Sequence, residues 1–273
     1  MSGKDISRLT DVAYWDRAWS GRETPAPLDP DAPGLNGTLQ RSLHRFFTAA
    51  FGKIGASKGD SILEAGAGGS VILPYFRSRF GLQAEGIENS PVGAELSRAI
   101  AEASGIQTPI HHGDLFDPPA HLLQRYDVVF SYGLVEHFRP TTLILDALAR
   151  IARPEGHLLT IIPNMRGSVG FLQKLANPAV YEVHVPLNVS ELVQAHEACG
   201  MRVINSGYLM TVNFGVINFT GARPVAAAIG PRLSSWSSKL VWQAERLGFP
   251  EFPNATTSPY IFVIARKRKD AGR

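Results

Sequence analysis

The residues best placed to do chemistry stand in short polar clusters, each at the end of an apolar run. Leu63-Glu64-Ala65-Gly66-Ala67-Gly68-Gly69-Ser70 joins a carboxylate to a glycine-rich turn. Glycines there permit positive φ and let a ligand approach the backbone closely. Glu88 and Asn89 follow a second run. A carboxylate in that place can accept both hydroxyl protons of a ribose. Gly113-Asp114-Leu115 follows a third. A fourth ends in Ser131 and leads through Gly133 to Glu136 and His137. An imidazole of ordinary pKa can take a proton from a hydroxyl or an amine. The other reading is that Glu136 and His137 only hold their loop together. A fifth run ends in Asn164, suited to orienting a polar group. His184, just before a later helix, is a second base candidate, or a structural histidine.

The intervening segments are the elements that must position these groups. Leu39, Leu43, Phe46, Phe47, Ala50, Phe51 and Ile54 recur at helical spacing. Ser61–Leu63, Ala84–Ile87, Thr108–His111, Tyr126–Phe130 and His157–Ile162 read as strands. Ser90 can cap a helix that Pro91 opens and Gly105 stops. Further helices are expected over Leu143–Ile151 and Glu191–Cys199, and later strands over Met201–Leu209 and Tyr260–Ala265. The alternation predicts an α/β fold, a mostly parallel sheet with helices on both faces. Such sheets bind ligands beyond the carboxyl ends of their strands. Residues 1–37, rich in Pro, Asp and Gly around Tyr14-Trp15, are expected to form an irregular arm that closes over the pocket, and 38–209 with 259–269 the core. Residues 210–258 break the alternation except for a helix-like stretch over Leu240–Leu247. They read either as an insertion covering a substrate pocket or as a packing elaboration. Phe214, Phe219 and Trp242 within it suit a ring-bearing ligand or an ordinary core.

Composition narrows the class. The chain has 273 residues, 44% hydrophobic and 19% charged, which suits one globular domain. A net charge of +3, with its one basic cluster at Arg266–Lys269, does not call for nucleic acid. Cys199 is the only cysteine, so no intrachain disulfide and no cysteine cluster for zinc can form. No apolar run is long enough to cross a bilayer. A cytoplasmic, reducing setting is the default expectation.

A dinucleotide loop, Gly-x-Gly-x-x-Gly counted from Gly66, would need glycine at Val71, and no Tyr-x-x-x-Lys pair is found at Tyr75, where Arg79 stands instead. The order of Glu64-x-Gly66-x-Gly68, Glu88, Gly113-Asp114 and Ser131 instead resembles the class I S-adenosylmethionine-dependent methyltransferases, over about Ser61–Gly200 plus the last strand. Ser70 stands where that family has a third glycine, with Gly69 beside it. The resemblance implies a Rossmann-like sheet of seven strands, the last antiparallel. It implies S-adenosyl-L-methionine as cofactor, held by Glu64, Gly66, Gly68, Gly69, Glu88, Asn89, Asp114, Leu115 and Ser131. The cationic amino-acid end of that cofactor favours a carboxylate near the loop. Asp114 would meet the adenine amino group, with Leu115 against the ring. His137 or His184 would act as base, and Glu136 and Asn164 would contact a small-molecule acceptor through its oxygen or nitrogen. That acceptor is expected to be a saccharide or a natural-product intermediate. Ubiquinone-type O-methyltransferases carry a further acidic residue where this chain has Gly133, so no metal is expected. The remaining alternatives are a cofactor-binding module without turnover and a nicotinamide-dependent reductase. Asp117-Pro118-Pro119-Ala120 resembles a base-methylating motif but follows the wrong strand and lacks the aromatic.

Overall fold

The computed structural model describes residues 7–220, 222 and 224–269. Positions 1–6 of the expected arm, and 221 and 223 of the insertion, lie outside the described residues. The chain begins with a two-residue strand β1 (Ser7–Arg8), helix α1 (Val12–Trp19) and helix α2 (Asn36–Ile54). Then follow β2 (Ser61–Ala65), a short α3 (Ile72–Tyr75) widening into a π turn over Phe76–Phe80, β3 (Gln83–Glu88), α4 (Pro91–Ala103) and β4 (Ile110–His112). Next come β5 (Tyr126–Tyr132), β6 (Phe138–Arg139), α5 (Thr141–Ile151) and β7 (Ala152–Pro163). The remainder is α6 (Ser168–Ala176), α7 (Pro178–Glu182), α8 (Val189–Ala198), β8 (Met201–Leu209), α9 (Pro224–Arg246) and β9 (Tyr260–Lys267).

Seven strands form one sheet in the order β4-β3-β2-β5-β7-β9-β8. The pairs from β4 to β7 are parallel, whereas β9 runs antiparallel to both β7 and β8. The strand order reverses at β2 and β5, so the crevice beyond their carboxyl ends is the expected ligand site. The local signals act as read. Ser90 Oγ accepts from the Gly93 amide at 3.0 Å, and Pro91 opens α4. Asn188 and Glu191 close a reciprocal capping box on α8. The fifth strand begins earlier than its apolar run. Tyr126 pairs with Ala152 and Val128 with His157, so the polar stretch between bulges out of the ladder.

Alternating side chains build a core on each face of the sheet. Leu63, Val129, Leu158 and Val263 pack on one side with Ile144 and Leu148 of α5 and Leu192 of α8. Ile62, Phe130, Leu159 and Ile264 pack on the other with Phe47 and Phe51 of α2 and Phe76. Phe47 meets Phe76 and Phe130 edge-on at 4.9 and 5.6 Å between ring centroids.

Two expectations need correction. The arm is not wholly irregular. Asp11 accepts from the Tyr14 amide at 2.7 Å and caps α1, whose Trp15 and Trp19, four residues apart, stack at 6.2 Å. The helix in the insertion is far longer than Leu240–Leu247 and spans 23 residues. Trp242 there is buried, and its indole N–H donates to the Val212 carbonyl at 3.0 Å, so it anchors the insertion itself.

Phe130→Ala should lower unfolding free energy by about 3–5 kcal/mol through the cavity it leaves. Phe171→Ala, at a side chain 65% exposed on α6, should change it by less than about 0.5 kcal/mol. Denaturant unfolding of the two variants checks the pair.

Candidate active site

Beyond the carboxyl ends of β2, β3 and β5 lies a cavity of about 430 Å³. Small-molecule sites fall within about 300–1,000 Å³. Its wall carries Glu64, Gly66, Gly68, Gly69, Glu88, Asn89, Asp114, Leu115 and His137 together. The turn after β2 opens at Gly66, φ +74°, where a side chain would also press on Leu134. At Gly68 a Cβ would fall 2.6 Å from the Trp19 indole nitrogen, so only glycine leaves room for the arm to lie over the loop.

The two strand-end carboxylates are braced differently. Glu64, buried, accepts from the Ser70 hydroxyl at 2.5 Å. Burial is the main cause that pushes its pKa up to about 8, opposed by that hydrogen bond and helped by the nearby Glu88. A buried carboxylate with one hydroxyl partner and a face on the cavity suits a cationic amine. Glu88 accepts from the Gly68 amide at 2.8 Å and the Ser90 amide at 2.7 Å. Its pKa is also raised by burial, against the pull of those amides. It therefore ties the glycine turn to the start of α4, and each oxygen keeps a lone pair for a ribose hydroxyl. Ser90 in turn donates to Asp16 of α1 at 2.6 Å.

Asp114 is on the wall but is shared. Its Oδ1 accepts from the Phe116 amide at 3.0 Å and its Oδ2 from Arg8 at 2.5 Å. Arg8 also lies over the Phe116 ring at 4.9 Å. β1 pairs with β6, so the arm crosses the cavity mouth as a strap. Arg8, Thr10, Asp11, Trp15, Trp19 and Arg22 thus join the wall, as expected of an arm that closes over the pocket, although none of them was expected as a site residue. Their signal was the Trp15/Trp19 spacing behind a capping Asp11.

His137 and His184 come together at 4.5 Å between ring centroids. The His137 Nδ1–H donates to the Val183 carbonyl at 2.7 Å, and the His184 Nδ1–H to the Val180 carbonyl at 2.6 Å. Each ring is therefore left with Nε2 as its acceptor. Burial, then the neighbouring His184, lowers the pKa of His137 to about 3, so it is neutral. Trp15 meets its ring edge-on at 5.1 Å. Glu136 is fully enclosed, its pKa pushed up to about 8 by burial, and its Oε2 has no partner. One ligand atom each of Glu136, His137 and His184 lies within 4.8 Å of the other two, a donor set able to close on a divalent ion. Only His137 of the three lines the cavity.

Two predicted residues stand elsewhere. The Asn164 amide donates to the Ala255 and Ser258 carbonyls, and its oxygen accepts from the Gly167 amide. Its side chain ties the end of the insertion to β7, away from the cavity. The Ser131 hydroxyl is buried without a partner and is not on the wall. No described residue of 210–258 lines the cavity, whose mouth is crossed by the arm.

Residues 35–205 match the family model described as a methyltransferase domain. The chain belongs to that family. The two carboxylates, the glycine cradle and Leu115 fit S-adenosyl-L-methionine, the cofactor that the sequence resemblance implies. The chain is 25% identical over 147 residues to a ubiquinone biosynthesis O-methyltransferase of Azorhizobium caulinodans, covering 54% of this chain and 56% of that one. A second relative of the same name, from Klebsiella pneumoniae subsp. pneumoniae, is 28% identical over 131 residues, 46% of this chain and 54% of that one. The chain spans about half the length of the curated relatives it matches. The fold is that of geranyl diphosphate C-methyltransferase from Streptomyces coelicolor A3(2), solved with S-adenosyl-L-homocysteine: TM-score 0.59, 15% identity, 94% of this chain and 97% of that one.

Between about pH 4.5 and 8 the free protein keeps a proton on Glu64 that the unfolded chain releases, so Glu64 contributes stability that is lost as pH rises through that window. Glu136 contributes in the same sense, and the buried neutral His137 in the opposite sense below about pH 6.5. An ammonium beside Glu64 favours its ionised form, so saturating S-adenosylhomocysteine should remove the Glu64 share of the pH dependence. Glu64→Gln should remove the same share without ligand and leave that of Glu136. Thermal midpoints across the window test this, and a slope unchanged in Glu64→Gln would assign the proton elsewhere.

Proposed function

We propose that this chain transfers a methyl group from S-adenosylmethionine to an oxygen of a small metabolite, with His137 as the proton acceptor. The observation that carries the reading is that a neutral His137 shares one cavity with the glycine loop, Glu64 and Glu88. Bound there, the cofactor supplies a methyl group already activated by its sulfonium. Glu64 holds the ammonium and Glu88 the ribose. His137 Nε2 takes the proton that the acceptor hydroxyl gives up as its oxygen is methylated. The Val183 carbonyl holds the ring in the tautomer that makes this possible. Trp15 and Trp19 keep water from the cavity, where positioning supplies much of the acceleration.

The acceptor surface is apolar. Trp15, Tyr132, Leu134 and Phe138 stand around His137 on the wall, which favours a hydroxyl on an apolar ring over a saccharide. The curated relatives, named for ubiquinone biosynthesis, support an oxygen acceptor of that kind.

A second reading rests on the unpartnered Glu136 oxygen. A divalent ion held by Glu136, His137 and His184 would activate the hydroxyl itself, with His137 as ligand.

Calorimetry with S-adenosylhomocysteine should show saturable binding, lost in Glu88→Ala; absence of binding would overturn the reading. With a phenolic acceptor, His137→Ala should cut turnover by about 10²–10⁴-fold while product affinity holds. Because His137 is neutral down to about pH 3, kcat should show no fall near the ordinary histidine pKa of 6.5. Chelation that abolishes turnover, restored by a divalent ion, would select the metal-assisted reading instead.

A further inference from the structure

Helix α9 faces the wrong way for a helix in water. Its inner side carries Ser234, Ser238 and Trp242, and Ser238 is fully buried, accepting from the Phe214 amide at 2.8 Å. Its outer side carries Ile229, Leu233, Trp236 and Leu240, each 50–64% exposed. At 3.6 residues per turn these four lie within a wedge of about 60°. Leu247, just past the helix, continues the line, and Phe249 and Phe252 follow it exposed. α6 packs against α9 and exposes Phe171 and Leu175. Contiguous apolar surface of this kind marks an interaction site.

The charges say what covers it. Arg232, Lys239 and Arg246 recur every seven residues and run along one flank of the stripe. The only carboxylate of α9, Glu245, accepts from the Thr211 hydroxyl at 2.6 Å, on the inner side. A second copy of the helix has nothing to offer this row. Antiparallel pairing would set cations against cations, and parallel pairing would set them against Ser237 and Ala244. An anionic lipid surface complements both features, with apolar side chains and a tryptophan in the headgroup region and cations against the phosphates. We infer that α9 is an interfacial helix that docks the protein on anionic membranes without spanning them. No helix among the described residues is long and apolar enough to span. Neither the cofactor nor the acceptor enters this inference, since no described residue of α9 lines the cavity.

The test is sedimentation of the full chain with phosphatidylcholine vesicles, with and without about 30 mol% phosphatidylglycerol. The protein should pellet with the anionic vesicles and remain in solution with the neutral ones. Leu233→Ser with Trp236→Ser should lower the bound fraction by at least about tenfold, and Arg232→Glu with Lys239→Glu by a similar factor. Arg232, Leu233 and Trp236 are exposed and Lys239 is partly so, and S-adenosylhomocysteine binding should be unchanged, which separates lost docking from lost folding. Failure to pellet with anionic vesicles, or pelleting that both double variants retain, would overturn the inference. So would a concentration-dependent dimer that Trp236→Ser dissolves.

Discussion

Burying Glu64 at the carboxyl end of β2 is costly, because a carboxylate in an apolar crevice loses its water. The surroundings moderate that cost without removing it. Ser70 donates to the carboxylate and also accepts from the Leu73 amide, so the first turn of α3 is built around the same hydroxyl. The Ser97 hydroxyl of α4 donates to the Ala67 carbonyl and accepts from the Ser70 amide, which fastens the turn to the helix. Glu88 closes the loop from the next strand through the Gly68 amide. A stretch of backbone that would otherwise wander is thus fixed on three sides. At the centre of that turn stands a buried acid with a single hydroxyl partner and a face on the cavity. The preference for a cation is built into the fold before any ligand arrives.

The same logic, with the sign reversed, governs the opposite wall. His137 sits among apolar groups and donates its only proton to a backbone carbonyl. Desolvation then keeps it neutral, and a neutral imidazole with one exposed lone pair is an acceptor at any ordinary pH. Glu136 beside it is held neutral by the same enclosure. The cavity therefore has a polar, cation-seeking end at the glycine turn and a largely uncharged end at the histidine. That division suits a charged methyl donor meeting an apolar acceptor.

How much of this was legible in the residues varies with the physics behind each part. The strands and their carboxylates were readable because apolar runs, glycine turns and a Ser-Pro helix start are local signals. Even the antiparallel last strand followed from family resemblance. The arm's place over the pocket was expected, but its helix was missed, because it is only eight residues long in a segment rich in Pro, Asp and Gly, and the arm's partners, Asp114 and Ser90, lie far along the chain. Asn164 looked like a site residue from its place at a strand end. Its bonds to Ala255 and Ser258 come from a segment whose path no local pattern reveals. His184 is brought to His137 by the turn after α7, a contact across 47 positions that spacing alone does not show.

β8 has only one neighbour in the sheet, and that neighbour is β9, made after all of the insertion. During synthesis β8 leaves the ribosome with an unpaired edge on each side, and it stays so while some fifty further residues are added. For that interval the chain carries a half-built sheet whose exposed strand edges can pair with other chains. The order of elements thus makes the last strand to emerge the one that seals the molecule, so a ribosome stalled within α9 leaves a nascent chain prone to aggregate.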